Sequence, residues 1–273
     1  MTAIRFVKGH GTENDFVVLP DADVPLTAEL ARALCDRRTG IGADGVLRVE
    51  PLTGEPDGPR WFMDYRNADG SVAEMCGNGI RVFARHLVNS GAAQPGTLRI
   101  DTRAGVRTVT VPAVGDVTVD MGAPVPLEAS PSVDGRPGTA LSMGNPHVVV
   151  EVSDVDRLAA LDLSRPPEVR PPLPDGQNVE WFVRVGPRRL AMRVHERGVG
   201  ESRSCGTGVC AAVVAAVAWA DGEGLDEPWT VAVPGGRLAV TWQSAGPVLL
   251  SGPAMLVARG DVHAEGLTGL GRR

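Results

Sequence analysis

Two cysteines share one local setting: Cys76-Gly77-Asn78-Gly79 and Cys205-Gly206-Thr207-Gly208 stand 129 residues apart, and each tetrapeptide opens a run with helical patterning. A thiol at a helix start meets free backbone N–H groups and the positive end of the macrodipole, a setting that lowers a cysteine pKa from about 8.5. The glycines let the backbone come close, so the same N–H groups can hold a substrate carboxylate. Two such sites suit the inversion of a stereocentre. One thiolate takes an α-proton from one face while one thiol delivers a proton to the other, and the roles swap in reverse. Charge that builds on the carboxylate meets donors of the oxyanion-hole kind. The plainer reading of a free cysteine is a small buried hydrophobe. Matched positions in a repeat favour chemistry for Cys76 and Cys205, whereas Cys35, late in an amphipathic helix, and Cys210, turned away round its helix, read as core.

Other polar residues cluster in the same frame. His147, between Asn145-Pro146 and a run of valines, reads as a core histidine, and Glu196 falls at the repeat position of Asn67. Two ionisable groups near two thiols can set their protonation. Arg197 and the asparagines can read a polar substrate. The cysteines form no Cys-x-x-Cys pair and have no histidine at ligand spacing, so no metal is expected. A redox protein with a Cys76–Cys205 disulfide is an alternative of a different class, and a noncatalytic binding protein is another.

The elements that must position these residues are short strands rich in Val, Ile, Leu and Thr, with helices over 27–35 (Thr27 as N-cap), 79–88, 155–161 and 207–220. The turns Asn67-Ala68-Asp69-Gly70 and Glu196-Arg197-Gly198-Val199-Gly200 repeat the 129-residue offset. Asn14-Asp15-Phe16-Val17-Val18 and Asn145-Pro146-His147-Val148-Val149 repeat it to within two residues. The expected chain is therefore α/β of the α+β type in two similar halves, 1–121 and 122–262, with a proline-rich connector over 122–138 and a tail over 263–273 that can return to the first half. Gly40-Ile41-Gly42-Ala43-Asp44-Gly45 matches a dinucleotide fingerprint but runs helix-then-strand, the reverse of the order that motif requires.

Composition narrows the partners. Hydrophobic residues at 43% can build a core, and a net charge of -6 with scattered basic residues argues against a nucleic-acid surface. The N-terminus lacks the apolar stretch of a signal peptide, and the longest apolar run, Val209 to Ala220, is too short to span a bilayer. No membrane association and a cytoplasmic setting are the expectation.

Taken together, Asn14-Asp15-Phe16, Asn67-Ala68-Asp69-Gly70-Ser71, Cys76-Gly77-Asn78-Gly79-Ile80-Arg81, Gly144-Asn145-Pro146-His147, Asn178-Val179, Glu196-Arg197-Gly198 and Cys205-Gly206-Thr207-Gly208 resemble the diaminopimelate epimerase family over nearly the whole chain. The resemblance implies two pseudo-symmetric halves, each a mostly antiparallel, barrel-like sheet around a central helix, with the active site in the cleft between them. It implies interconversion of LL- and meso-2,6-diaminopimelate without pyridoxal phosphate, metal or other cofactor, on the route to lysine and peptidoglycan, by a homodimer. On matching positions, Cys76 and Cys205 would be the acid/base thiols, His147 and Glu196 would adjust their protonation, and the backbone at Gly77, Asn78, Gly206 and Thr207 would hold the reacting carboxylate. Asn14, Asn67, Asn145, Asn178, Glu196 and Arg197 would hold the substrate's other polar groups. Gly45 stands where many members carry Gln, Glu13 where Gly is usual, and Ser202 where Thr is frequent. The nearest rival, a proline racemase or hydroxyproline epimerase, typically carries His where this chain has Asn78.

Overall fold

Buried strands flank buried helices twice over in this chain, and the reason lies in runs such as Phe16-Val17-Val18-Leu19, which are inaccessible on both faces. The structure, a computed structural model, describes residues 3–53, 60–244 and 246–267. It divides into two compact units, Met1–Val119 with Pro253–Arg273, and Asp120–Gly252.

The first unit runs β1 (Ala3–Gly11), β2 (Asn14–Leu19), α1 (Ala28–Cys35), β3 (Gly45–Leu52), β4 (Arg60–Asn67), α2 (Gly77–Asn89), β5 (Gly96–Thr102), β6 (Gly105–Val111) and β7 (Val117–Asp120). β2 pairs antiparallel with β1 and parallel with β3, β3 forms a hairpin with β4, and β4 runs parallel to β5. Thr27 caps α1 by accepting the Leu30 N–H at 3.2 Å. The central helix α2 packs on β1, β2, β3, β6 and the last strand, β20 (Met255–His263). Ile80, Val82, Phe83 and Leu87 are fully buried on it, each contributing about 1.5–3 kcal/mol of apolar burial. Its two interior arginines end on carbonyls: Arg81 donates to Gly77 at 3.0 Å and to Pro253 at 3.4 Å, and Arg85 to Pro112 at 2.7 Å and Gly115 at 2.8 Å.

The sequence reading ends the C-terminal half at 262, but the chain rejoins the first unit from Pro253. β20 pairs along β1 from Ala3↔His263 to His10↔Met255, and this ladder is what draws it there. Residues 268–273 of the expected tail lie outside the described residues.

The second unit repeats that plan. Its strands are β8 (Val125–Pro126), β9 (Ser132–Val133), β10 (Arg136–Pro137), β11 (Thr139–Ser142), β12 (Pro146–Glu151), β13 (Val169–Arg170), β14 (Asn178–Gly186), β15 (Arg189–Glu196), β16 (Gly200–Ser202), β17 (Trp229–Val233), β18 (Gly236–Trp242) and β19 (Val248–Gly252); α3 (Val155–Ala159) follows β12, and α4 (Gly206–Ala218) follows β16. β12 pairs antiparallel with β11 and parallel with β14, β14 forms a hairpin with β15, and β15 runs parallel to β17. Pairing for pairing, this is the order of β1 to β5. The short β9, β10 and β13 form a separate sheet over part of the expected connector. α4 is apolar on all sides, with Val209 through Val217 buried, and it packs on β11, β12, β14, β15, β18 and β19. Among the described residues no helix is long and apolar enough to cross a membrane.

Candidate active site

Cys76 is the N-cap of α2, in extended backbone at φ -139°, and its Sγ accepts the Gly79 N–H at 3.4 Å. The sulfur is half-buried and lies 3.6 Å from Asn14 Oδ1, which also accepts from Asn78 Nδ2 at 3.2 Å. Asn14 in turn donates to Asp44 Oδ2 at 2.7 Å, and the Asp44 carbonyl accepts the Ala68 N–H at 3.0 Å, next to Asn67. Asn14, Asn78 and Cys76 are thus brought into one hydrogen-bonded group, while Asn67 closes its own turn through Ser71 Oγ at 3.0 Å. The hairpin that presents Asn14 turns through Thr12 at φ 50° and Glu13 at φ 62°. Both are left-handed, as a two-residue hairpin turn of this type demands, so the strain falls at the position where Gly is usual in the family it resembles.

Below this group lies an ion network in which Arg37 bridges Asp15 at 2.8 Å and Asp44 at 2.7 Å, and Lys8 pairs with Asp15. Burial would raise the Asp15 carboxyl, but Arg37 and Lys8 together hold it at about 2. Gly45 begins β3 between Phe16 and Asn67. A Cβ there would lie 2.6 Å from the Tyr65 ring and 2.7 Å from the Arg66 carbonyl. No longer side chain fits without a backbone shift. Gly45→Ala is expected to lower stability by about 1–3 kcal/mol through overpacking, and chemical denaturation checks it; an unchanged midpoint would contradict the close approach.

Cys205 caps α4 at φ -117°, and its Sγ lies 3.5 Å from Thr207 Oγ1. Here the sequence expectation of a lowered thiol pKa does not hold. Burial pushes the Cys205 thiol well up, and the nearby Glu196 and Glu180 carboxylates push it further, against the smaller pull of Thr207 and the Gly208 N–H. The pull of the helix terminus is the weaker influence at this sulfur. Burial likewise raises the Glu196 carboxyl, with Glu180 adding to the rise. Burial also pushes Cys35 up to about 12, and Cys210 is fully buried, so both are core as expected.

The remaining predicted residues of this unit sit close by in the fold. His147 is inaccessible, with Nε2 2.9 Å from Asn145 Oδ1. Asn178 faces His147 in the β12–β14 register; its Oδ1 accepts the Arg197 N–H at 3.0 Å and its Nδ2 donates to Pro146 at 3.3 Å. Arg197 is exposed and donates to the Asp175 carbonyl. The turns of the two units match in detail: Gly70 N–H to the Asn67 carbonyl at 2.9 Å, and Val199 N–H to the Glu196 carbonyl at 3.2 Å. Glu180 and Asp44 were not expected. For Glu180 the available signal was a carboxylate inside the apolar run Val179 to Val183. Among the described residues no group of three or more His, Cys, Asp or Glu side chains is arranged to hold a metal.

The family model and the curated relatives carry one name. The family model described as diaminopimelate epimerase matches residues 6–127 and 139–257. The diaminopimelate epimerase of Streptomyces coelicolor is 49% identical over 290 residues, covering 98% of this chain and 99% of its own. That of Thermobifida fusca is 52% identical over 281 residues, covering 97% and 100%. Among solved structures, a Bacillus anthracis phenazine biosynthesis protein of the PhzF family superposes with TM-score 0.72 at 17% identity, over 96% of this chain and 100% of that one. A hydroxyproline epimerase from Agrobacterium vitis gives 0.70 at 16%, over 95% and 92%. At such identities these two speak for the two-unit fold alone.

Proposed function

Because the chain belongs to the diaminopimelate epimerase family, and is therefore an isomerase, we propose that it converts LL-2,6-diaminopimelate to the meso isomer, without a cofactor, by removing the α-proton at one of Cys76 and Cys205 and delivering a different proton from the other. In one direction the thiolate of one cysteine takes the α-proton, so a C–H bond breaks as an S–H bond forms. The thiol of the other gives its proton to the opposite face, and its sulfur is left as the thiolate. The reverse reaction swaps the two roles. The observation that carries this reading is that both cysteines stand at the N-cap position of the buried central helix in two topologically equal units.

The N–H groups of Gly77 and Asn78, and of Gly206 and Thr207, are the donors for the reacting carboxylate, where charge grows in the transition state. Glu196 and His147 adjust the protonation of the two thiols. Asn14, Asn67, Asn145, Asn178, Glu196 and Arg197 take the substrate's remaining polar groups, including its distal amino-acid end. The route to lysine and peptidoglycan, a homodimer and a cytoplasmic setting belong to the same proposal.

Asn78, engaged by Asn14 and Thr12, favours this substrate over a cyclic imino acid, whose epimerases typically need His at that position. Chiral chromatography after incubation with LL-diaminopimelate or L-proline separates the two readings. The meso isomer is expected from the first and no D-proline from the second; D-proline alone would overturn the proposal.

A further inference from the structure

Glu180 lies on β14 in a run, Asn178 to Val183, that is buried throughout, and its own exposure is 0%. Its Oε1 is 2.7 Å from Nδ1 of His147, which is equally inaccessible. Since Nε2 faces Asn145 Oδ1 at 2.9 Å, both ring nitrogens point at oxygen. A neutral imidazole carries one N–H only. With the amide so oriented, satisfying both contacts requires His147 and Glu180 to hold two protons between them, one more than a neutral ring and a carboxylate possess. Glu180 Oε2 is buried with no hydrogen-bond partner among the described residues, which makes a bare carboxylate costly and a shared proton favourable.

Packing supplies a second, independent observation. A Cβ on Gly208, in the first turn of α4, would lie 2.5 Å from Glu180 Oε1 and 3.1 Å from its Cδ. The carboxyl group is therefore wedged against the very turn that Cys205 caps, and the missing side chain at 208 is what admits it.

We propose that Glu180 is a positioning residue that fixes the orientation of His147 and shares a buried proton with it beside the helix turn capped by Cys205. When Cys205 gives up its proton, a thiolate forms near Glu196. A protonated Glu180–His147 pair spares that thiolate a second neighbouring negative charge, which eases the proton transfer. The catalytic consequence rests on the epimerase reading; the shared proton does not.

Glu180→Gln keeps the volume and cannot share the proton. Its kcat is expected to fall roughly 10²-fold, the lower end of acid–base contributions, with KM held within about twofold. Glu180→Asp is expected to recover part of that loss. In proton NMR the wild type is expected to show a far-downfield resonance from the proton between Nδ1 and Oε1, absent from Glu180→Gln. Gly208→Ala reaches the same carboxyl from the helix side in a residue that favours helix, and is expected to lose the same resonance, so the test survives if Glu180→Gln fails to fold. Turnover of Glu180→Gln within about twofold of wild type, or a wild type lacking the resonance, would overturn the inference. A resonance that appears and is lost as expected, in a protein inactive on diaminopimelate, would sink the substrate reading and support the shared proton.

Discussion

Replacing either Cys76 or Cys205 by alanine is expected to abolish epimerisation, each alone lowering kcat by roughly 10³-fold or more, with the fold retained. A two-base inversion fails when either base is missing, because the remaining sulfur can only return a proton to the face it came from. The change is small enough to leave packing intact. Cys205 makes no side-chain cap bond, and the contacts of the Cys76 sulfur to the Gly79 N–H at 3.4 Å and Asn14 Oδ1 at 3.6 Å are long ones. Turnover assays with circular dichroism check the result. If either single variant kept near-wild-type turnover, the two-base account would be wrong and the noncatalytic binding reading would gain ground.

The second large effect concerns Glu196. Its carboxyl is raised chiefly by burial, and it helps to hold the Cys205 thiol up. Glu196→Gln is expected to cut turnover about 10²-fold. In a Cys76→Ala background it is also expected to speed alkylation of Cys205 at neutral pH several-fold, because the thiolate is the nucleophile. Stability should move the other way. A carboxyl whose pKa rises on folding contributes stability below its unfolded value of 4.5 and loses it as pH rises through the folded value, so a neutral isostere avoids that loss at neutral pH. The sign for Cys205 is the same, with full stability below 9.0 and loss only as pH climbs through its higher folded pKa. Thermal unfolding at neutral pH is expected to show a higher Tm for Glu196→Gln; a lower Tm with unchanged alkylation would contradict the electrostatic role.

Much of this was legible in the residues themselves. The Cys-Gly-x-Gly repeat reappears as two capped central helices, and the Thr27 cap follows from local rules that need no tertiary knowledge. Strand β4 departs from the Val-, Ile-, Leu- and Thr-rich pattern because it carries Asp64 and three other charged or amide residues, and only the fold supplies Arg48 and Arg103 as partners for that buried carboxylate. Strand β20 carries Gly260 and Asp261 and is largely exposed, so its pairing with β1 leaves little trace in the residue pattern. The raised pKa of Cys205 was illegible for a similar reason. A helix start predicts a lowered value, while the opposing burial and the Glu196 carboxyl are supplied by the tertiary fold. His147 read as a core histidine, and so it is, but its carboxyl partner stands 33 residues away.

The most direct test follows the isotope during the first turnovers with LL-diaminopimelate in D₂O. If two thiols act on opposite faces, the meso product carries deuterium at the inverted carbon from the outset, while recovered LL substrate keeps its protium. Deuterium appearing in recovered substrate as fast as in product, or protium carried over into the product, would mean that a single base serves both faces and would contradict the account.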